Sequence, residues 1–212
     1  MKETDMQVTR HGKQPVLVFD LGGVLVDWNG IDPLMAVSQG RLEREQARQF
    51  WMHTPEVALL DTGRVTPEEF ARLMDERLQL GLGTAAMLQA LDDWLQGPYP
   101  GVRELLQQLG AHYRLAVLSN NNALHWGKIE RQFDILPLFE TCFASHHLGL
   151  RKPDLAVYHH VQQALQADAA DIIFFDDNIE CVHSATQAGW QACHTVGFDA
   201  VRQALQAHRL LD

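Results

Sequence analysis

The segment that decides the fold spans residues 16–27 and reads V-L-V-F-D-L-G-G-V-L-V-D. A run of four apolar residues ends at Asp20, and two glycines follow at positions 22 and 23. A short apolar run that is rich in β-branched residues predicts a strand buried on both faces. Open α/β sheets bind ligands at the carboxyl ends of their strands. Asp20 is therefore either a catalytic carboxylate or the cap of a turn.

Three further apolar runs predict strands of the same sheet. They are L-A-V-L at residues 115–118, I-I-F-F at 172–175 and A-C-H-T-V at 192–196. Helical spacing of apolar residues marks the segments 100–110, 154–167, 179–188 and 200–210, with Gly110 as a C-terminal cap and Asp154 as an N-terminal cap. Strands that alternate with helices predict an α/β fold, in which a parallel sheet is covered by helices on both faces.

Residues 30–97 have a different pattern, with several helix starts and no convincing strand. Asp32 is placed as a helix cap before Pro33, and Thr66 with Glu69 has the pattern of a capping box. An all-helical insertion after the first strand would lie over the ligand-binding edge of the sheet. The prediction is a core of residues 15–29 and 98–212, a helical cap of residues 30–97, and a mobile polar leader of residues 1–14.

The overall charge and the cysteines narrow the class of protein. The 212 residues include 17 lysines and arginines and 27 aspartates and glutamates, which gives a net charge of -10. This charge disfavours nucleic-acid backbones and anionic membrane surfaces as partners. Three widely spaced cysteines predict thiols of a reducing compartment, and no apolar run suits a signal peptide or a membrane span. We expect a cytoplasmic monomer or homodimer, with neither nucleic acid nor membrane as a partner.

Polar residues follow two of the other predicted strands or lie in a loop beside them. They are Ser119 in L-S-N-N-N, Lys152 in G-L-R-K-P, and Asp176 with Asp177 in F-F-D-D-N. Each of them alone could cap a helix or lie in solvent. The carboxyl ends of parallel strands meet at one edge of a sheet, however, so these groups are expected to surround Asp20 in one crevice.

This set of side chains is consistent with phosphoryl transfer. A carboxylate can attack phosphorus and form an aspartyl phosphate. The charges of the carboxylate and the phosphate need to be offset, which Mg²⁺ held by the hard oxygens of Asp176 and Asp177 would do. Lys152 and the Ser119 hydroxyl would hold the remaining phosphoryl oxygens, where charge spreads in the transition state.

The four motifs F-D-L-G-G-V-L-V-D, L-S-N, R-K-P and F-F-D-D-N, in this order, resemble the haloacid dehalogenase (HAD) superfamily. Asp20, Ser119, Lys152 and Asp176 are separated by 99, 33 and 24 residues. The helical insertion resembles the C1 cap of that superfamily, and D-T-G-R-V-T-P-E-E-F at residues 61–70 resembles its internal cap turn. The resemblance implies a Rossmann-like core. The first motif is most similar to bacterial α-D-glucose-1-phosphate phosphatase-like enzymes, which also lack the usual second aspartate.

The resemblance also implies a role for each matched residue. Asp20 would be the nucleophile and Lys152 would pair with both phosphate and nucleophile. Ser119 and the backbone N–H of Asn120 would bind phosphate. The implied Mg²⁺ ligands are Asp20, the backbone carbonyl of Gly22, Asp177, and Asp176 either directly or through water.

Gly22 departs from the pattern of the family. Most phosphatases of the superfamily have an aspartate there, which protonates the leaving group and later activates water. General acid catalysis is worth roughly 10²–10⁴-fold, so its loss matters most for poor leaving groups, and a sugar 1-phosphate tolerates that loss better than an ordinary alkyl phosphate. Asn122 could contact the leaving group, although capping of the next helix is the simpler role for it. Arg64 is a candidate specificity residue of the cap.

These observations predict a Mg²⁺-dependent phosphomonoester hydrolase that acts on a small phosphorylated metabolite such as a sugar phosphate. Two alternatives stay open. A metal-independent 2-haloacid dehalogenase would use the same aspartate on carbon, but Gly22 and the Asp176–Asp177 pair disfavour it. A non-catalytic binding protein on the same scaffold is disfavoured because Asp20, Ser119, Lys152 and the carboxylate pair are all present.

Overall fold

The computed structural model describes residues 14–211, so the leader predicted for residues 1–14 lies, apart from Gln14, outside the described part. Within that part the strands are β1 (Val16–Phe19), β2 (Val26–Trp28), β3 (Leu95–Pro98), β4 (Arg114–Ser119), β5 (Thr141–Ala144), β6 (Ile172–Asp176) and β7 (Gln191–His194). The α-helices are α1 (Ile31–Val37), α2 (Arg44–His53), α3 (Pro55–Asp61), α4 (Pro67–Leu78), α5 (Thr84–Asp93), α6 (Val102–Gly110), α7 (Ala123–Gln132), α8 (Ser145–Leu148), α9 (Leu155–Leu165), α10 (Ile179–Gln187) and α11 (Phe198–Ala207).

Five of the strands form one parallel sheet in the order β5-β4-β1-β6-β7. β1 lies at its centre, where Phe19 pairs with Val117 of β4 and with Phe175 of β6. The strands predicted at 16–19, 115–118 and 172–175 are confirmed, and the last strand ends at His194 rather than at residue 196. The sequence pattern does not predict β5, because its residues T-C-F-A contain an apolar run of only three.

Alternate residues of β1 point to opposite faces of the sheet, as the two-residue period of a strand requires. Leu17 and Phe19 belong to an apolar cluster with residues of α6, α7 and α11. Val16 and Val18 belong to a second cluster, with residues of α9 and α10. Phe19 also stacks on Phe175, with ring centroids 4.8 Å apart. The predicted α/β fold with helices on both faces of a parallel sheet is therefore confirmed.

An insertion of five helices, α1–α5 over residues 31–93, separates β1 from the rest of the sheet. The chain enters it from β2 and leaves it through β3, and these two strands pair antiparallel at its base. The helices pack around a third apolar cluster that includes Phe70, Met74 and Trp94, all of them fully buried.

Two boundaries in this region differ from the prediction. Residues 95–98, which the sequence pattern assigns to the helical cap and the start of the core, form β3, and Leu95 packs in a core cluster rather than in the insertion. α1 begins at Ile31 with Gly30 as its N-terminal cap, so Asp32 lies inside the first turn instead of capping the helix.

The helix caps are a second check of the sequence pattern. The predicted capping box is confirmed, since the Thr66 hydroxyl accepts the Glu69 N–H at 3.1 Å and the Glu69 carboxylate accepts the Thr66 N–H at 2.9 Å. Asp154 occupies the N-terminal cap position of α9, as predicted, but its side chain makes no capping hydrogen bond. Gly110, predicted as a C-terminal cap, is instead the last residue of α6, and Ala111 is the cap.

The insertion also contacts the core away from β2 and β3. Gly63, in the turn after α3, has a φ of +68°, and a Cβ there would lie 2.5 Å from the backbone oxygen of His146. On the other side, the Nε2 of His125 in α7 lies 2.7 Å from the Leu91 carbonyl in α5. Among the described residues, none of the helices combines the length and the apolar character that a bilayer crossing needs.

Candidate active site

The site lies at the carboxyl ends of three neighbouring strands. Asp20 directly follows β1, Ser119 is the last residue of β4, and Asp176 is the last residue of β6. The Asp20 N–H donates to the Phe175 carbonyl at 2.9 Å and so continues the pairing of β1 with β6 past the end of the strand. The sheet thus brings together the carboxylate, the hydroxyl and the carboxylate pair that the sequence predicts at this edge.

Lys152 is the buried cation of the site, only 1% exposed. Its Nζ lies 2.6 Å from Oδ2 of Asp176 and 3.1 Å from Oδ2 of Asp20. Burial alone would lower the pKa of Lys152, but the charges of Asp176 and Asp20 outweigh that effect and raise the pKa well above its ordinary value. The ammonium group therefore stays charged and links the two carboxylates.

Asn120 fixes the backbone that carries this lysine. Its side-chain Nδ2 donates to the Lys152 carbonyl at 2.8 Å, and its Oδ1 accepts the Lys152 N–H at 2.8 Å. The side-chain amide therefore satisfies the backbone donor and acceptor of one residue at once. Ser119, which is 2% exposed, lines the cavity beside it.

Asp20, Asp176 and Asp177 each offer one oxygen within 4.8 Å of the others. Burial, followed by the charges of Asp20 and Asp176, raises the pKa of Asp177 to about 7. Burial raises the pKa of Asp176 to about 6, against the opposing effect of Lys152. Clustered carboxylates whose ionisation is opposed in this way suit a divalent cation, because the cation would offset the repulsion with its own charge.

The two adjacent aspartates have different surroundings. Oδ2 of Asp176 contacts Lys152, and its Oδ1 accepts the Asn178 N–H at 2.7 Å, so both oxygens already have partners. Asp177 lies instead against Gly23, where φ is +71° and a Cβ would come within 2.4 Å of Oδ2 of Asp177. A side chain at position 23 would be strained by the positive φ and would displace the Asp177 carboxylate, a constraint that the sequence pattern does not reveal.

Gly22, two residues after Asp20, has no requirement of this kind. Its φ is outside the left-handed region, and a Cβ would lie 3.5 Å from the Cβ of Trp28, an ordinary contact. The backbone therefore tolerates a side chain at this position. Gly22 itself offers a backbone carbonyl oxygen but no side chain that could donate a proton.

The core edge and the insertion together enclose a cavity of about 560 Å³. On the core side it is lined by Asp20, Ser119, Asn120, Lys152 and the carboxylate pair. Apolar side chains line the other side, and they are Trp28, Ile31, Trp51, Met52 and Ala58. Polar groups on this side include Arg48, His53 and Asp61.

Two of the predicted substrate contacts do not line this cavity. Arg64 is exposed in the turn after α3 and is not part of the cavity wall. Asn122 caps α7, since its Oδ1 accepts the N–H groups of Leu124 and His125 at 3.1 Å each, and it is not part of the wall either. The Asn122 side chain thus has the capping role that the sequence favours for it, and Arg64 lies at the surface; a contact of either residue with a substrate stays a prediction.

Asp61 is a cavity residue that the sequence pattern does not single out. It is the last residue of α3, it is 6% exposed, and its Oδ2 lies 3.4 Å from Nη2 of Arg151. Burial raises the pKa of Asp61 to about 7, and the charge of Asp20 adds to this, while Arg151 and Lys152 act in the opposite direction. The turn D-T-G-R that begins at Asp61 marks the position in the sequence, but the burial of the carboxyl group follows only from the fold.

Comparisons with known proteins agree with this geometry. Residues 15–189 match the family model described as haloacid dehalogenase-like hydrolase. The chain is 28% identical over 196 residues to the sesquiterpene phosphatase astK of Aspergillus oryzae, which covers 92% of this chain and 95% of that protein. It is 29% identical over 186 residues to phosphatase MT3486 of Mycobacterium tuberculosis, which covers 83% and 84% of the two chains.

Solved structures show the same fold. The HAD family enzyme bt-2542 of Bacteroides thetaiotaomicron superposes with a TM-score of 0.75 at 22% identity, over 91% of this chain and 99% of that one. Its complex with magnesium and inorganic phosphate gives a TM-score of 0.71 at 21% identity, over 86% and 94% of the chains. Because the family model spans most of the sequence and the four motifs converge at one sheet edge, this chain belongs to the haloacid dehalogenase-like hydrolases.

Proposed function

We propose that this protein hydrolyses phosphomonoesters with Mg²⁺, through an aspartyl phosphate at Asp20. The observation that carries the proposal is the surroundings of the Asp20 carboxylate. One oxygen lies 3.1 Å from the Lys152 ammonium, and the carboxylate lies within the 4.8 Å cluster formed with Asp176 and Asp177. A nucleophile placed between a fixed cation and a site for a second cation suits a dianionic phosphoryl group.

Each residue has a defined part in the first step. Oδ1 of Asp20 accepts the Leu21 N–H at 2.7 Å, which orients the carboxylate so that Oδ2, beside the Lys152 ammonium, can attack phosphorus. Lys152 and the Ser119 hydroxyl stabilise the charge on the phosphoryl oxygens as the bond to the organic group breaks. Water then attacks phosphorus in the aspartyl phosphate, which releases phosphate and restores the Asp20 carboxylate.

The residues present fit the metal that the family implies. Asp20, Asp177 and the Gly22 carbonyl would hold Mg²⁺, with Asp176 bound directly or through water. Asp177 is the stronger candidate for a direct ligand, because both oxygens of Asp176 already have protein partners. When bound, Mg²⁺ supplies positive charge that offsets the repulsion between the nucleophile and the phosphate.

Two substrate classes are candidates for the organic group. A sugar phosphate follows from the family resemblance of the first motif and from polar side chains of the wall such as Arg48 and His53. A more apolar phosphomonoester is favoured by Trp28, Trp51 and Met52 on the wall and by the relative named a sesquiterpene phosphatase. We favour the apolar class, because Arg48 and His53 are exposed whereas the apolar side chains are half-buried.

A panel of phosphomonoesters, assayed with Mg²⁺ and with EDTA, tests the function. We expect Mg²⁺-dependent release of phosphate from p-nitrophenyl phosphate and from at least one of the two substrate classes. Asp20→Asn should lower turnover of every substrate by about 10⁴-fold or more, since it removes the nucleophile. Asp27→Asn is the matched control, because Asp27 is exposed in β2 and does not line the cavity.

The same panel separates the alternatives. Halide release from a 2-haloacid in EDTA would identify a dehalogenase. Binding of phosphate or phosphomonoesters with no turnover under any condition would identify a binding protein. A fully active Asp20→Asn variant would rule out the covalent mechanism.

A further inference from the structure

The proposed reaction needs a general acid and base that the core residues do not supply. When phosphorus transfers to Asp20, the departing oxygen of an alkyl alcohol needs a proton, and the second step needs a base for the attacking water. Gly22 has no side chain to do either. The acid must therefore come from another group in the cavity or from solvent.

The carboxyl groups that line the cavity are not equally suited to this role. Asp20, Asp176 and Asp177 are engaged with Lys152 or with the cation site described above. Asp154 and Glu180 are exposed to water at the rim. The remaining carboxyl group of the wall is Asp61, which is 6% exposed.

The position of Asp61 matches the direction of the leaving group. It belongs to the insertion, whereas the nucleophile and the phosphate ligands belong to the core edge, and both line the same cavity. Phosphoryl transfer displaces the leaving group on the side opposite the nucleophile. An acid on the insertion side is therefore on the correct side of the phosphorus.

We propose that Asp61 is the general acid and base of this enzyme and takes over the role for which Gly22 has no side chain. The inference rests on the proposed phosphatase function. In the first step the Asp61 carboxyl gives its proton to the leaving oxygen as the P–O bond breaks and the P–O bond to Asp20 forms. In the second step the Asp61 carboxylate takes a proton from the water that attacks phosphorus, the bond to Asp20 breaks, and both side chains return to their starting states.

The electrostatic surroundings of Asp61 support this assignment. Burial is the main reason that its pKa is raised to about 7, which is close to the value that suits an acid and base at neutral pH. The charged groups that act on it are Arg151, Lys152 and Asp20. His146, in the segment packed against the turn after α3, is uncharged near neutrality because burial lowers its pKa to about 4.

The turn that carries Asp61 is held against the core. Gly63 packs on the backbone of His146 so closely that a Cβ would not fit. Arg151, the ion-pair partner of Asp61, directly precedes Lys152 in the chain. Asp61 is thus tied to the same segment that positions the phosphate-binding ammonium, which is what a proton donor for the leaving group requires.

The test compares Asp61→Asn with Asp154→Asn on two substrates in the presence of Mg²⁺. Asparagine keeps the shape of the side chain but cannot exchange a proton. For an alkyl phosphate, whose leaving group needs a proton, kcat/KM of Asp61→Asn should fall by roughly 10²–10⁴-fold. For p-nitrophenyl phosphate, whose leaving group is stable as an anion, the loss should be below about tenfold. Asp154→Asn, a change at an exposed carboxylate of the same cavity, should leave the ratio of the two substrates unchanged.

The wild-type enzyme gives an independent measurement. The ratio of kcat/KM for the alkyl phosphate to that for p-nitrophenyl phosphate should fall as pH rises past about 7, as Asp61 loses its proton. Groups that serve both substrates, such as Asp177, cancel in this ratio. Asp61→Glu, which keeps an acid, and the double variant Gly22→Asp with Asp61→Asn, which restores one beside the nucleophile, should both recover turnover of the alkyl phosphate.

The possible results lead to different conclusions. Equal losses on both substrates in Asp61→Asn, or a flat pH ratio in the wild type, would overturn the assignment and leave a structural role. A wild type that hydrolyses p-nitrophenyl phosphate but no alkyl phosphate would also overturn it, while the proposed function would stand. A wild type inactive on both would overturn the function itself.

Discussion

The sheet edge and the insertion face each other across one cavity, yet they position their polar groups differently. At the edge, Asp20, Ser119 and Asp176 lie at or just after the ends of paired strands, so strand register places them. In the insertion, Asp61 reaches the cavity only because α3 packs against the core and Arg151 holds its carboxyl group. Under the proposed mechanism, the phosphate chemistry would belong to the sheet and the leaving-group chemistry to the insertion.

The largest effect is expected at the sheet edge. Lys152→Met leaves Asp20 and Asp176 facing each other without the ammonium, and loss of one partner of a buried ion pair costs about 3–5 kcal/mol. Urea unfolding in EDTA should show this loss, and turnover of all substrates should fall together. Arg72→Met is the control, because its pair with Glu76 in α4 is exposed and such pairs are worth about 0–1 kcal/mol. Equal losses for both variants would contradict the special role of Lys152.

The second effect concerns the stability cost of Asp61. Because its pKa in the folded state is raised to about 7 from 3.8, the folded protein binds an extra proton between these values, and stability falls as pH rises through this window. The Asp61→Asn variant does not lose stability in this way, because asparagine does not titrate. Its free energy of unfolding relative to the wild type should increase from about pH 4 to about pH 7, by up to about 4 kcal/mol, and then level off.

Denaturation midpoints measured across that pH range check the prediction. Asp154→Asn, at an exposed carboxylate, should follow the wild type throughout. A difference between Asp61→Asn and the wild type that does not change with pH would show that burial does not oppose ionisation of Asp61.

The third effect is the response to metal. At a Mg²⁺ concentration of about 100 times Kd, binding adds about 2.7 kcal/mol, which corresponds to a rise in Tm of about 5–10 °C for a chain of this size. Asp177→Asn should lose most of this rise, because it removes the carboxylate best placed to bind the ion. Thermal scans with Mg²⁺ and with EDTA measure this rise in Tm for each variant. A full Mg²⁺ response in Asp177→Asn would locate the ion elsewhere, and Asp27→Asn should keep the wild-type response.

The smallest effect tests how the insertion is held. Gly63→Ala and Gly81→Ala both place a side chain at positive φ, but only at Gly63 would the new Cβ meet the core, since nothing lies within 4 Å at Gly81. Gly63→Ala should therefore cost about 1–2 kcal/mol more than Gly81→Ala, measured by urea unfolding. It should also lower alkyl-phosphate turnover more than p-nitrophenyl-phosphate turnover. Identical behaviour of the two variants would show that the turn is not held by this contact.

The difference between the sheet edge and the insertion also explains which features of the structure the sequence predicts. The run at residues 16–19 ends at Asp20, so one local pattern gives both a strand and the place of a carboxylate. The strands that end at Ser119 and Asp176 repeat this relation, whereas Lys152 lies in a loop, and the structure brings these groups together with Asp20 as expected. Local chemistry was sufficient there because parallel strands share one ligand-binding edge.

The remaining features depend on contacts between distant residues. The strand β3 is not apparent in L-Q-G-P, because it forms only by pairing with β2 across the whole insertion. The burial of Asp61 and its pairing with Arg151 join positions 90 residues apart in the sequence. Asn122 and Arg64 have polar side chains at plausible positions, but only the helix cap and the exposed turn in the structure show where those side chains lie.

The two hydrogen bonds between the Asn120 side chain and the Lys152 backbone have a kinetic consequence. They fix the Lys152 backbone, while Asp176 and Asp20 hold its ammonium group. Under the proposed function, phosphate would therefore not need to order this group on binding. A preorganised site of this kind would also bind free phosphate. Inorganic phosphate is therefore expected to be a competitive product inhibitor, and its departure, rather than bond cleavage, becomes the slow step for substrates with good leaving groups.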